Sequence, residues 1–279
     1  MSTAQRSTAP AATGADRGRQ VGVTVAEVFC IVGTLVGVGV IGTRVAESSG
    51  GALSADATLL APLGPAFSIW SVVYAGLAAY TLWQWLPSSS TDPRARSTGW
   101  LAAASMVLNA GWLLVTQQGW LWASVVVILA LVVVLGVLVQ RLADLGPAPS
   151  LVQRVVVDGT FGLYLGWVAV ATCANITATL VAEGVETSGL VGELVAALVI
   201  AVVVVVAAVV VARTGPRWSV AAAAAWGLAW IAVGRLTDEP ASTLVGVVAA
   251  IAAVAVLGLT ARAARRGEEN RSQQAADPT

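Results

Sequence analysis

Eight apolar stretches, parted by short polar breaks, run along the chain at about 21–43, 67–85, 99–116, 121–142, 159–181, 190–212, 218–234 and 241–261. Each approaches the roughly 20 apolar residues a helix needs to cross about 30 Å of hydrocarbon, so the pattern predicts eight transmembrane helices. The stretch at 67–85, FSIWSVVYAGLAAYTLWQW, carries no charge. Within it Phe67, Trp70, Tyr74, Leu77 and Thr81 recur at spacings of three and four and so share one helix face. Ala75, Gly76, Ala78 and Ala79 leave the other side small. A lipid-facing anchor has no use for that asymmetry. It suits a helix that turns rings toward a pocket and lets neighbours approach behind. Before it lies a polar, Gly- and Ser-containing connection, 44–64, ending near Pro62 and Pro65.

Composition agrees with the periodicity. Of 279 residues, 57% are hydrophobic and 11% charged, and the mean hydropathy is +0.83. These values exclude an ordinary soluble domain and predict an all-α, polytopic bundle in contact with the lipid bilayer. Residues 1–20 read as a disordered leader. The first apolar run is longer than a signal-peptide core, so it is expected to be retained as a helix. Residues 263–279 form a charged tail. Gly33 and Gly37 make a GxxxG pair, which predicts close helix packing.

The net charge is zero, which gives nucleic-acid binding no support. Histidine and lysine are absent and every basic residue is arginine, which excludes histidine-ligated haem or zinc and catalysis through a histidine base. Paired carboxylates, phosphate loops and metal-ligand spacings are not seen, so no enzymatic activity, cofactor or metal site is expected. Cys30 and Cys173 lie within apolar segments and read as small buried hydrophobes. Basic residues accumulate on the cytoplasmic side of a bacterial-type cell membrane. With eight helices and both termini cytoplasmic, all arginines but Arg44 and Arg235 fall on that side, while Glu47, Asp56, Glu183, Glu186, Asp238 and Glu239 fall outside.

Two amides, Asn109 and Asn175, are expected at membrane depth, where a polar side chain finds a protein partner or lines a cavity. Asn109, Trp112 and Thr116 share one face of the third helix, and Tyr164, Trp167, Ala171 and Asn175 share one face of the fifth. If these stripes and that of Trp70 and Tyr74 converge, they wall a pocket for a large, planar, mostly apolar ligand. Core packing and interhelical hydrogen bonding explain the same residues equally well. Trp83, Trp85, Trp100, Trp120, Trp122 and Trp218 lie near helix ends and read as interfacial anchors. Asp158 reads as a helix-end residue near Arg154. Glu27, within the first span, either snorkels or pairs with Arg19.

The runs W70-S-V-V-Y74, L108-N109-A-G-W112 and W167-V-A-V-A171-T-C-A-N175 resemble the TspO/MBR family, also called tryptophan-rich sensory proteins or translocator proteins. The resemblance covers residues 21–182 as a five-helix core. The three helices of 183–262, with W226-G-L-A-W230, resemble the C-terminal extension of a longer bacterial subgroup. It implies a homodimer that binds porphyrin-like ligands in tetrapyrrole traffic or stress signalling, with Trp70, Tyr74, Asn109, Trp112, Trp167, Ala171 and Asn175 at the pocket. The connection before the second helix lacks the Trp of the family's W-x-P stretch. Two functions compete with a ligand-binding sensor or translocator: a secondary transporter of a small solute, and a membrane scaffold with no small ligand.

Overall fold

The computed structural model describes residues 11–276 except 38, 41, 42 and 188; the first ten residues of the expected leader lie outside the described residues. Among the described residues there are eight long helices, each long and apolar enough to cross a membrane, and no strands. They are α1 Gly14–Gly37, α2 Ile69–Trp83, α3 Pro93–Gln117, α4 Leu121–Asp144, α5 Leu151–Ala182, α6 Gly189–Thr214, α7 Trp218–Thr237 and α8 Thr243–Ala276. The protein is a multi-pass membrane protein.

The boundaries follow capping chemistry. α1 begins at Gly14, inside the stretch expected to be an unstructured leader, because Thr13 and Asp16 form a capping box. The Thr13 backbone N–H donates to Asp16 Oδ2 at 3.0 Å, and the Asp16 N–H donates to Thr13 Oγ1 at 3.3 Å. Asp92 caps α3 by accepting from the Arg94 N–H at 2.8 Å, with Pro93 as the first helical residue. α5 contains a π-helical stretch at Arg154–Gly159 that carries Asp158. α8 runs on as helix through the charged tail as far as Ala276.

Two apolar cores divide the bundle. One joins α1 to α5, with Val73, Leu77, Met106, Leu135, Phe161 and Trp167 fully buried. The other joins α6, α7 and α8 to Val170 of α5 and also takes in Leu59 and Leu60 of the connection between α1 and α2. Small residues set the spacing. A Cβ on Gly33 would stand 2.7 Å from the Ala110 Cβ, and one on Gly37 would run into Leu113, so the GxxxG pair is the seam between α1 and α3. α5 meets α7 in the same way, with Gly166 against Val220 and Ala223. Large aliphatic side chains of α6, from Leu190 to Val209, point outward, as lipid contact requires. Trp85, Trp100, Trp120, Trp122 and Trp218 are exposed near helix ends, whereas Trp83 is 5% exposed and packs beside Tyr80 in the core.

The arginine-rich end is tied by ion pairs on Asp16 and Asp158. Asp16 receives Arg96 at 2.7 and 2.8 Å and Arg19 at 3.3 Å. Asp158 does not pair with the adjacent Arg154. It pairs with Arg94 of α3 at 2.6 Å and lies 3.8 Å from Arg217, beyond α6. Burial pushes the Arg217 guanidinium below its ordinary value. One carboxylate thereby joins three separate parts of the bundle.

Candidate functional site: a ring-walled cavity under a latched connection

A chamber of about 450 Å³ opens between α1, α2 and α3, lined by Thr34, Phe67, Trp70, Tyr74, Trp112 and Arg44. Two smaller spaces, about 60 and 30 Å³, continue from it toward α5. Phe67 and Trp112 border all three and stand as partitions between them. Trp167, Ala171 and Asn175 line the first of the smaller spaces; Trp70, Asn109, Trp167 and Ala171 line the second. All seven residues expected at a pocket therefore border one or more of three adjoining spaces that share Phe67 and Trp112 as walls.

The rings interlock. Trp70 stacks on Tyr74 with centroids 5.2 Å apart and planes inclined by 17°. It meets Tyr164 edge-on at 5.8 Å and Trp167 at 6.3 Å, and Phe67 meets Trp167 edge-on at 5.6 Å. Tyr164 is fully buried beside the site and donates to the Ser105 carbonyl at 3.2 Å, so it supports the rings and does not line the space. Asn109 Nδ2 donates to Tyr74 Oη at 3.1 Å and lies 3.5 Å from Cys30 Sγ, which ties α3 to α2 and α1. Asn175 Nδ2 donates to Ser124 Oγ of α4 at 3.0 Å. Both amides are thus partnered. The indole N–H groups of Trp112 and Trp167 are not: both are buried without a protein acceptor. Two orphaned donors at the wall of a cavity are costly unless something accepts from them.

The connection at 44–64 closes the cavity. Val45 and Leu53 line the large chamber; Ala52, Ser54, Thr58, Ala61 and Pro62 line its first extension. One side of this cover is pinned to the end of α3, where Ser49 Oγ donates to the Thr116 carbonyl at 2.8 Å and Gln117 Nε2 to the Thr43 carbonyl at 2.6 Å. The other side is pinned to α7. Arg235, 1% exposed, donates to the Thr58 carbonyl at 2.8 Å and the Ala55 carbonyl at 3.4 Å. Trp226 Nε1 donates to the Ala66 carbonyl at 2.9 Å, and the Leu63 N–H reaches the Trp230 carbonyl at 3.4 Å. The cover thus takes its indole donor from α7, not from its own sequence.

Sequence reasoning missed Thr34, Arg44, Leu53 and Leu113 as lining residues. It placed Phe67 on the ring stripe without assigning it to the pocket. It had singled out Arg44 and Arg235 as the two exceptions to the arginine asymmetry, and these are the cation at the chamber mouth and the cation that latches the cover.

The family model described as TSPO-like protein matches residues 24–262, from within α1 to within α8. No curated protein and no solved structure matches the chain. The match runs through the last three helices as well as the first five, in keeping with a cover that is held from both sides. The chain belongs to the TSPO-like protein family, the TspO/MBR membrane proteins.

Proposed function

We propose that this protein is a membrane receptor, without enzymatic activity, for a planar and mostly apolar ligand of the porphyrin class. The ligand would lie between the Trp70–Tyr74 stack and Trp112, with acceptor atoms toward the free indole N–H groups. The single observation that carries this reading is the buried, unpartnered indole donor of Trp112 at a chamber of about 450 Å³, with a second such donor on Trp167 at the two smaller spaces beside it. That volume lies within the range of small-molecule sites. Flat rings offer the stacking that a conjugated macrocycle prefers. Arg44 at the mouth suits peripheral carboxylates. The arginine asymmetry favours both termini in the cytoplasm and residence in the cell membrane, and the family resemblance favours a homodimer.

Protoporphyrin IX titrated into the purified protein, read by tryptophan quenching, tests the reading. Trp112→Phe and Trp167→Phe keep a ring and remove the donor; each is expected to weaken binding by about fivefold or more, the value of one lost hydrogen bond. Unchanged affinity in both variants would overturn the assignment.

A further inference from the structure

The buried face of α1 carries a polar seam through the full depth of the bundle. Asp16, Gln20, Val23, Glu27, Cys30, Thr34 and Gly37 follow one another at spacings of three and four, so they lie along one stripe. Four of these seven, Asp16, Gln20, Glu27 and Thr34, carry polar or ionisable side chains besides Cys30, and Val23 is the sole aliphatic interruption. At the top, Thr34 lines the cavity, and Cys30 touches Asn109, which in turn holds Tyr74. At the bottom, Gln20 Nε2 donates to the Gln84 carbonyl at 2.7 Å, and Asp16 is held by Arg19 and Arg96. Glu27 lies between.

Glu27 is 5% exposed, and its Oε2 is buried with no hydrogen-bond partner. The expected partner, Arg19, is engaged with Asp16 and with the Ser90 carbonyl at 2.8 Å. It also stands eight residues away along α1, about 12 Å at 1.5 Å per residue. The contacts on either side of Glu27 along the seam bring to it Gln84, just after α2, through Gln20, and Asn109 and Tyr74 through Cys30, none of them cationic. Cys30, three residues on along the same stripe, lies 3.5 Å from Asn109 Nδ2, so Glu27 lies about one turn beneath the site. Thr81 Oγ1 in α2 and both side-chain polar atoms of Gln84 just after it are likewise buried without partners. An ionised carboxylate at this depth without a countercharge is costly, whereas its neutral acid is tolerated.

We propose that Glu27 is a proton-binding site beneath the cavity, and that a proton held there and a carboxylate-bearing planar ligand above it favour one another. The proposal rests on the binding reading given above for its second half only. An anionic ligand repels ionised Glu27 and does not repel the neutral acid. Binding is therefore tight where Glu27 is protonated and weakens as rising pH removes the proton. The composition makes this unusually visible: without histidine, no unperturbed side chain changes charge between about pH 5.5 and 7.5.

The test compares protoporphyrin IX affinity at several pH values in this window for the wild-type protein, Glu27→Gln and Glu27→Asp. The porphyrin's own titration is common to all three. Expected is a wild-type loss of affinity of about fivefold or more with rising pH beyond that of Glu27→Gln, the lower end of ordinary site-to-site coupling. Glu27→Gln should stay at the tight limit, and Glu27→Asp should retain a pH dependence. Identical profiles in wild type and Glu27→Gln would overturn the linkage. Infrared difference spectra of the ligand-free protein test the proton site separately: a protonated-carboxyl band present in wild type, absent in Glu27→Gln and shifted in Glu27→Asp supports it. Absence of any such band across the window overturns it, whether or not porphyrin binds.

Discussion

The guanidinium of Arg235, near the end of α7, lies 2.8 Å from the carbonyl oxygen of Thr58, a residue in the cover of the cavity and 177 positions earlier in the chain. Hydrogen bonds from a charged donor contribute about 1.5–3 kcal/mol each, and Arg235 makes two to backbone carbonyls. Arg235→Leu is expected to speed porphyrin release by about tenfold or more, measured by displacement kinetics, with a smaller change in association. Arg235→Lys should recover only part of this, because an ammonium lacks the planar fork that reaches both carbonyls. Unaltered release in Arg235→Leu would show that the latch does not govern access.

Phe67 separates the large chamber from both of its extensions. Phe67→Ala should join the three spaces. The measurement is the ratio of affinities for protoporphyrin IX and a bicyclic aromatic probe. The ratio is expected to shift toward the larger ligand, since the smaller one loses a ring contact and gains nothing from the added room.

The seam between α1 and α3 leaves no space at Gly33, where the Ala110 Cβ already lies in the way. Gly33→Leu should destabilise the protein by about 1–3 kcal/mol through overpacking. Thermal unfolding in detergent would register this as a lowered midpoint. Gly111, where an added Cβ meets nothing, is the matched control on α3.

Asp158 leaves two arginines facing one another if it is neutralised. Arg94 is 4% exposed and Arg217 18% exposed at the side chain. Asp158→Asn is expected to cost about 3 kcal/mol, as for other buried pairs broken from one side. The double variant Asp158→Leu, Arg94→Leu should recover much of that loss. A double variant no more stable than the single one would remove the ion pair as the cause.

Much of the helical architecture was legible along the chain because hydropathy and helical periodicity are local properties. The stripes of Trp70 and Tyr74, of Asn109 and Trp112, and of Trp167, Ala171 and Asn175 could be read from spacing alone. So could the small side of Gly33 and Gly37. The start of α1 was readable in principle, since Thr13 and Asp16 make a capping box, but an Ala-, Ser- and Thr-rich flank masked it. Trp83 looked interfacial because its position near a helix end is also where anchoring tryptophans gather; only its packing beside Tyr80 distinguishes it.

What the residues determined by themselves is an all-α membrane bundle of eight spans, with ring-bearing and amide-bearing faces on α2, α3 and α5. Each such property needs only neighbours within a few turns of the same helix. Tertiary structure alone decided that those faces border three adjoining spaces, that α7 supplies the latch and the indole donor for their cover, and that Glu27 is left without a cation while Arg19 turns to Asp16. The physical reason is that each of these outcomes depends on which distant groups compete for one partner, and sequence spacing holds no record of that competition.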